Sequence, residues 1–303
     1  MTPSPIRAAQ LAAPRQQRNW DWRAAANFVC GGTGGGLLLV AAVAGVEGAA
    51  RQAALLTGLA LIGCGLTCVW FEIGRPWRAL NVYRHAATSW MTREAFVALA
   101  VFGSGMLALH FMAAVPLLLA GACGGVFLYS QARILAANKG IPVWRHPASV
   151  PLMVATGLAE GAGVLLTLAL LAGSASTGML SGFMVALVVL RAWRWHRYLD
   201  GIERAGAPLA ALKVLREFGP RFLWFGHAAP ALLALGVLAG LPGAFAMATT
   251  AGVLVVGSGW ALKYSLVRRA AYTQGLAIDH LPARGRGPAG PGVKPGWTTL
   301  ARG

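Results

Sequence analysis

Eight apolar stretches, each about long enough to cross a membrane, follow one another through this chain with short joints between them, near residues 24–46, 53–71, 94–112, 115–135, 149–171, 176–195, 225–240 and 244–265. About 20 mostly apolar residues in helical form span a hydrocarbon core of roughly 30 Å. Hydrocarbon offers the backbone no hydrogen-bond partner but itself, so each stretch is expected to be a helix. Of the 303 residues, 57% are hydrophobic and only 12% charged, too little charged surface for a soluble globule. The expected fold is therefore an all-α integral membrane protein of about eight transmembrane helices.

Three regions are expected: a basic N-terminal tail (1–20), the transmembrane domain (21–280) and a Pro/Gly/Arg-rich tail (281–303). Neither end holds enough apolar residues for a core, so both are expected to be flexible in isolation. The first stretch follows Trp20, Asp21 and Trp22, is full length and lacks a cleavage pattern, which reads as a span rather than a cleavable signal.

A net charge of +17 in a soluble protein would suggest nucleic acid, but its distribution gives it another meaning here. Counted by joints, 25 of the 26 Lys and Arg residues fall at one set of helix ends and only Arg51 at the other. The positive-inside rule then places both termini in the cytoplasm, in a bacterial inner membrane, with no call for nucleic acid as a partner. The longest joint, 191–222, carries Leu209, Leu212 and Leu215 at helical spacing and is expected to lie along the membrane surface.

Several motifs are excluded by context. Gly31, Gly32, Gly34, Gly35 and Gly36 follow no strand and lie inside an apolar span, so close helix packing explains them better than a phosphate loop does. Gly121 with Gly125, and Gly157 with Gly161, have the four-residue spacing that lets helix backbones approach. Cys30, Cys64, Cys68 and Cys123 lack the grouping of a zinc or iron–sulfur site, so no metal site is expected. Among the six histidines, only His196 and His227 are placed so that they could form a haem-ligating pair.

An ionisable group within a span is costly and marks function by default. Glu160, near the middle of the fifth stretch, reads either as a proton-relay group or quinone-site wall, or as a carboxyl bonded to a neighbouring helix for packing. The densest constellation surrounds the joint of stretches two and three, where Glu72, Arg75, Trp77, Arg78, Trp90, Arg93 and Glu94 fall within about 23 residues. Arg and Trp anchor helices at this depth, so part of the cluster reads as interface anchoring. Glu72 and Glu94 flank the joint and could exchange protons with a redox-active head group. Asn27, Tyr129, Lys263 and Tyr264 are further lining candidates, each polar and near the same end of its helix.

Gly74, Pro76, Trp77, Arg78 and Ala79 after the second stretch, with Ser89 and Glu94 opening the third, resemble the membrane-anchor subunits of the dimethyl sulfoxide reductase and polysulfide reductase families. Helix number and order are similar from about Trp20 to about Ile278. The start, Asn19 to Arg23 with Asn27, resembles the membrane subunit associated with phenylacetyl-CoA:acceptor oxidoreductase.

The resemblance implies a subunit without haem that reacts with ubiquinone or menaquinone. It further implies an iron–sulfur electron-transfer subunit bound to this chain and, through it, a molybdopterin catalytic subunit. Arg78 and Glu94 match site positions of the family, whereas Glu72 departs from a pattern in which some relatives carry histidine. The charge count puts the joint, and with it the docked partners, on the cytoplasmic face, where an intracellular substrate such as a CoA thioester would be reached. The rival readings are a transporter, a haem b-type anchor and a purely structural tether. A transporter would show an internal repeat, and none is evident.

Overall fold

The computed structural model describes residues 13–73, 81–83, 86–174 and 177–275. Arg75, Trp77, Arg78, the 281–303 tail and most of the 1–20 tail lie outside the described residues. The described chain is helical, and eight helices are long and apolar enough to cross a membrane. They are α1 Trp22–Val43, α2 Gly48–Glu72, α3 Trp90–Phe111, α4 Ala114–Ala137, α5 Ser149–Leu171, α6 Thr177–Arg204, α7 Leu209–Leu238 and α8 Ala244–Arg269. At 1.5 Å per residue even the shortest exceeds the roughly 30 Å of hydrocarbon. Outward-facing side chains are large and apolar, among them Leu99, Met106, Leu119, Val189 and Val253, the surface of a protein solvated by lipid. The protein is a multi-pass membrane protein.

Local chemistry sets the ends. Asp21 caps α1 by accepting from the Arg23 backbone N–H at 2.7 Å, and its ion pair with the Arg23 guanidinium (2.8 Å) holds its carboxyl below the usual carboxylate range. Ser89 caps α3. The turn between α7 and α8 needs left-handed backbone at Gly240 (φ 71°) and Gly243 (φ 84°), which glycine adopts without a Cβ penalty. At the end away from the other cations, Arg51 is buried and donates to the Val46 carbonyl (2.8 Å) and to that of Met112, tying the α1–α2 turn to the α3–α4 turn.

Helix α1 is the central column, packed on α2, α4, α5 and α8. Its glycines meet neighbouring backbone: a Cβ at Gly34 would stand 2.6 Å from the Gly58 carbonyl oxygen of α2, and one at Gly35 2.6 Å from that of Gly124 in α4. Gly36 and Gly161 meet across the α1–α5 contact. Association in lipid runs on such close contacts rather than on a hydrophobic driving force, so the glycine run is a packing device.

The structure corrects two expectations. Residues 191–222 form no separate surface helix. Helix α6 continues to Arg204, and after a four-residue turn α7 begins at Leu209 and runs on without a break. Leu212, Leu215 and Phe222 pack against Trp195, Tyr198 and Ile202 of α6, so the apolar spacing reflects a helical hairpin reaching beyond the hydrocarbon. The described part of the N-terminal tail is also tied down: Gln17 N–H donates to the Ala271 carbonyl (2.8 Å), Thr273 N–H to that of Arg15 (2.8 Å), and Arg268 to that of Trp20 (2.8 Å).

Candidate functional site

Helix α1 carries polar side chains at two depths, and a site gathers around each. Near the end rich in Arg and Lys, Trp20, Asn27 and Phe28 form one wall of a narrow cleft, with Glu72 of α2 and Met91 and Glu94 of α3 opposite. The cleft is tight, with a volume of about 40 Å³. Glu94 sits in the second turn of α3, where its buried carboxyl meets the side chains of Asn27 and of Gln131 on α4. Gln131 is fixed by its amide N–H donating to the Asn27 backbone carbonyl at 3.0 Å. Three buried oxygens here, Asn27 Oδ1, Glu94 Oε1 and Gln131 Oε1, have no hydrogen-bond partner. Unpartnered buried acceptors are rare, and the two on cleft-lining residues, Asn27 Oδ1 and Glu94 Oε1, leave room for a donor there, with Gln131 behind them. At the mouth Glu72 is half-buried beside Asp21 and Arg23, and Arg23 donates to the Phe71 carbonyl at 2.6 Å.

Of the residues expected at the site, the structure brings Asn27, Glu72 and Glu94 together. Trp90, Arg93 and Tyr129 are not among the residues lining the cleft. The Arg93 and Arg133 guanidiniums lie 4.5 and 4.8 Å from the Trp90 ring, with the Tyr129 ring edge-on at 5.8 Å. Arg93 also donates to the Ala86 and Ala87 carbonyls (3.0 and 2.7 Å), so it holds the joint between α2 and α3. Gln131 was missed in the sequence although it is as polar as Tyr129 and two residues away.

Deeper in the bundle lies an ion pair. Glu160 on α5 and Lys263 on α8 are both fully buried and meet at 2.5 Å. Thr33 on α1 donates to the same carboxylate at 2.6 Å and accepts from the Trp260 indole N–H at 3.0 Å. Glu160 Oε1 has no partner. Lys263, counted from the sequence among the charges at the helix ends, is instead the cation that neutralises the mid-membrane carboxylate. The two sites adjoin: a Cβ on Gly32 would stand 2.5 Å from Lys263 Nζ and 3.4 Å from Gln131 Oε1.

Arg191 was likewise assigned to a joint, but it is fully buried on α6. Its guanidinium donates to the carbonyls of Val255 (3.0 Å) and Gly226 and to His227 Nε2 (3.2 Å). The Gly226 carbonyl is available because α7 has a π turn at Trp224–Ala228 and because Pro230, four residues on, has no N–H to give. His227 Nδ1 lies 3.0 Å from the Phe222 carbonyl, so geometry assigns the proton to Nδ1 and leaves Nε2 as acceptor from Arg191. Both ring nitrogens are thereby engaged, which argues against the haem pair with His196. Among the described residues no three His, Cys, Asp or Glu side chains gather as a metal site would need.

Compared with known proteins, the chain matches no protein-family model and no curated protein sequence.

Proposed function

We propose that this chain is the membrane anchor and quinone-reactive subunit of a multi-subunit molybdopterin oxidoreductase, passing electrons between an iron–sulfur subunit and the membrane quinone pool. The observation that carries the reading is the cleft between α1, α2 and α3, with Glu72 and Glu94 in its lining and two lining oxygens, Asn27 Oδ1 and Glu94 Oε1, without partners. A quinol presents two hydroxyl donors on a flat ring, and the unpartnered Asn27 Oδ1 and Glu94 Oε1 suit them; Phe28, Trp20 and Met91 would flank the ring faces once the narrow cleft parts to admit it. Asn27 would position the hydroxyl, Gln131 would brace Asn27 from behind through its backbone carbonyl, and Glu94 is the lining group to take or return the proton. Conversion of quinone to quinol takes up two electrons and two protons, so a head group here needs a proton donor beside it, a role that suits Glu94 and, at the mouth, Glu72.

The charge distribution supports an orientation with the cleft, both termini and the partner subunits on the cytoplasmic side of a bacterial inner membrane. Arg75 and Arg78 belong to the joint that would face the partner. Purification of the tagged chain from native membranes, with metal analysis, quinone extraction and an absorption spectrum on one sample, tests the reading. Iron with molybdenum or tungsten, extractable quinone and no haem band are expected. A chain that purifies alone and moves a solute across vesicles by itself refutes it and favours a transporter.

A further inference from the structure

A second cavity lies apart from the cleft, between the basic end of α6 and the start of α5, and it carries unpaired positive charge at the depth of lipid head groups. Helix α6 places Arg194, Arg197, Gly201 and Arg204 at spacings of three, four and three residues, which is one face of a helix. That face, together with His146, Pro147 and Pro151 at the N-terminal end of α5, lines an open cavity of about 350 Å³. Gly201 leaves room for the His146 ring, because a Cβ there would stand 2.9 Å from its Nε2.

Three guanidiniums face one carboxylate, Asp200, in this lining. Among the described residues, no carboxylate comes within ion-pair distance of Arg194, Arg197 or Arg204. Glu203, the other acid on this stretch of α6, is bound to Arg216 on α7 and is not available to them. Arg194 is held with its guanidinium carbon 4.2 Å from the ring of Trp193, an exposed indole of the kind that sits at the membrane interface.

Two neighbours add to the positive potential. The α5 N-terminus, with no side-chain cap, lies beside the cavity through Pro147, Ala148 and Pro151, so the positive end of its dipole adds to the potential there, although its Ser149 N–H is already bonded to the His146 carbonyl (2.9 Å). His146 Nδ1 accepts from the Ala148 backbone N–H at 3.2 Å, which leaves the Nε2 proton free to donate. Counting α6 residues from Thr177, about 20 are used in crossing the hydrocarbon, so Arg194 to Arg204 straddle its boundary with the head groups.

The geometry points to a binding site for the phosphate of an anionic phospholipid, with Arg194, Arg197 and Arg204 as its ligands. Arginine forks match phosphate oxygens bidentately. The concave shape, with proline and alanine on the α5 side and the position at head-group depth, fits a lipid whose acyl chains run down the outer surface of α5 and α6. The flat acidic surface of a protein partner would not enter it.

The test uses the purified full-length chain, delipidated in detergent and titrated with phosphatidylglycerol, phosphatidylcholine or inorganic phosphate, with bound lipid counted by native mass spectrometry. Saturable retention of phosphatidylglycerol over phosphatidylcholine is expected on the unaltered protein, and inorganic phosphate should not displace it. Each Arg→Gln change in the cavity should weaken retention about fivefold, and all three together about a hundredfold. A control removing equal charge elsewhere (Lys139→Gln, Lys213→Gln and Arg221→Gln together) should change it little. Equal loss in the control and the cavity variant would mean diffuse surface charge and overturn the proposal. Displacement by inorganic phosphate would mean a site for a soluble anion, and equal retention of the two lipids on the unaltered protein would mean no head-group site; either result overturns it as well.

Discussion

Lys263→Met is the most informative single change in the bundle. It removes the cation that meets Glu160 at 2.5 Å, where both side chains have no exposure at all, and puts an unbranched apolar side chain of similar length in its place. Breaking a buried ion pair by deleting one partner costs about 3–5 kcal/mol, because the remaining charge is stranded. The Thr33 hydroxyl still donates to the stranded carboxylate at 2.6 Å, which places the expected cost toward the lower end, about 3 kcal/mol. Glu160→Gln strands Lys263 instead, with Arg191 as a second cation in electrostatic reach, and is expected to cost at least as much. The double variant removes both charges and should cost only about 1 kcal/mol, since replacement of a whole buried pair by apolar or neutral groups is often close to neutral. The assay is a double-mutant cycle on the purified chain in detergent, read as apparent Tm at one heating rate. Losses of about 10 °C are expected for each single variant, at roughly 2–4 °C per kcal/mol for a chain of this size, and most of that should return in the double. Single losses that simply add would refute the reasoning and mean that the two side chains do not act as a pair.

Glu94→Gln should leave assembly and Tm little changed while slowing quinone-linked turnover at least about tenfold in membranes; unchanged turnover would remove Glu94 from proton transfer. Gly36→Ala drives a Cβ into the backbone of α5 and should cost about 2 kcal/mol or more, whereas Gly103→Ala, with no heavy atom within 4 Å, should be neutral or slightly stabilising; thermal unfolding of the pair checks both. Arg191→Met orphans the Gly226 carbonyl and the His227 Nε2 acceptor, and a loss of about 2–3 kcal/mol is expected in the same assay.

Helix number was legible in the sequence because each span carries its own hydropathy signal and needs no partner to declare it. Helix ends were less so. Residues 196–223 are too charged to count as a span, yet they form the outer halves of α6 and α7, held by Trp195, Tyr198 and Phe222 packed across the hairpin. Asn27, Glu72 and Glu94, singled out because they are polar at one end of apolar stretches, do line one cleft. What one chain of letters could not show is which polar side chain faces which. Lys263 and Arg191 lie close enough to basic joints to be counted with them, and only the rotation of α8 and α6 about their axes turns them inward. Gln131 and Tyr129 differ by two positions on α4, and that rotation puts one against Asn27 and leaves the other exposed.

The glycines explain how so many polar side chains fit within a bundle that must exclude water. Gly31 faces Gln131, Gly32 faces Lys263, Gly65 faces Asn27 and Gly259 faces Glu160, each so closely that a Cβ would collide or press against the polar group. A neighbouring helix that lacks a side chain at that level leaves the space in which the polar group is held. From Asn27 to Thr33, six residues or about 9 Å along α1, these groups descend from the cleft to the buried ion pair. Gln131 and Lys263 both lie over Gly32, so the polar groups behind the cleft and the Glu160 pair share one wall. A change of charge in the cleft is therefore felt at the ion pair through a medium that screens it poorly. The same small residue that packs α1 against its neighbours also sets the electrical distance between the two sites.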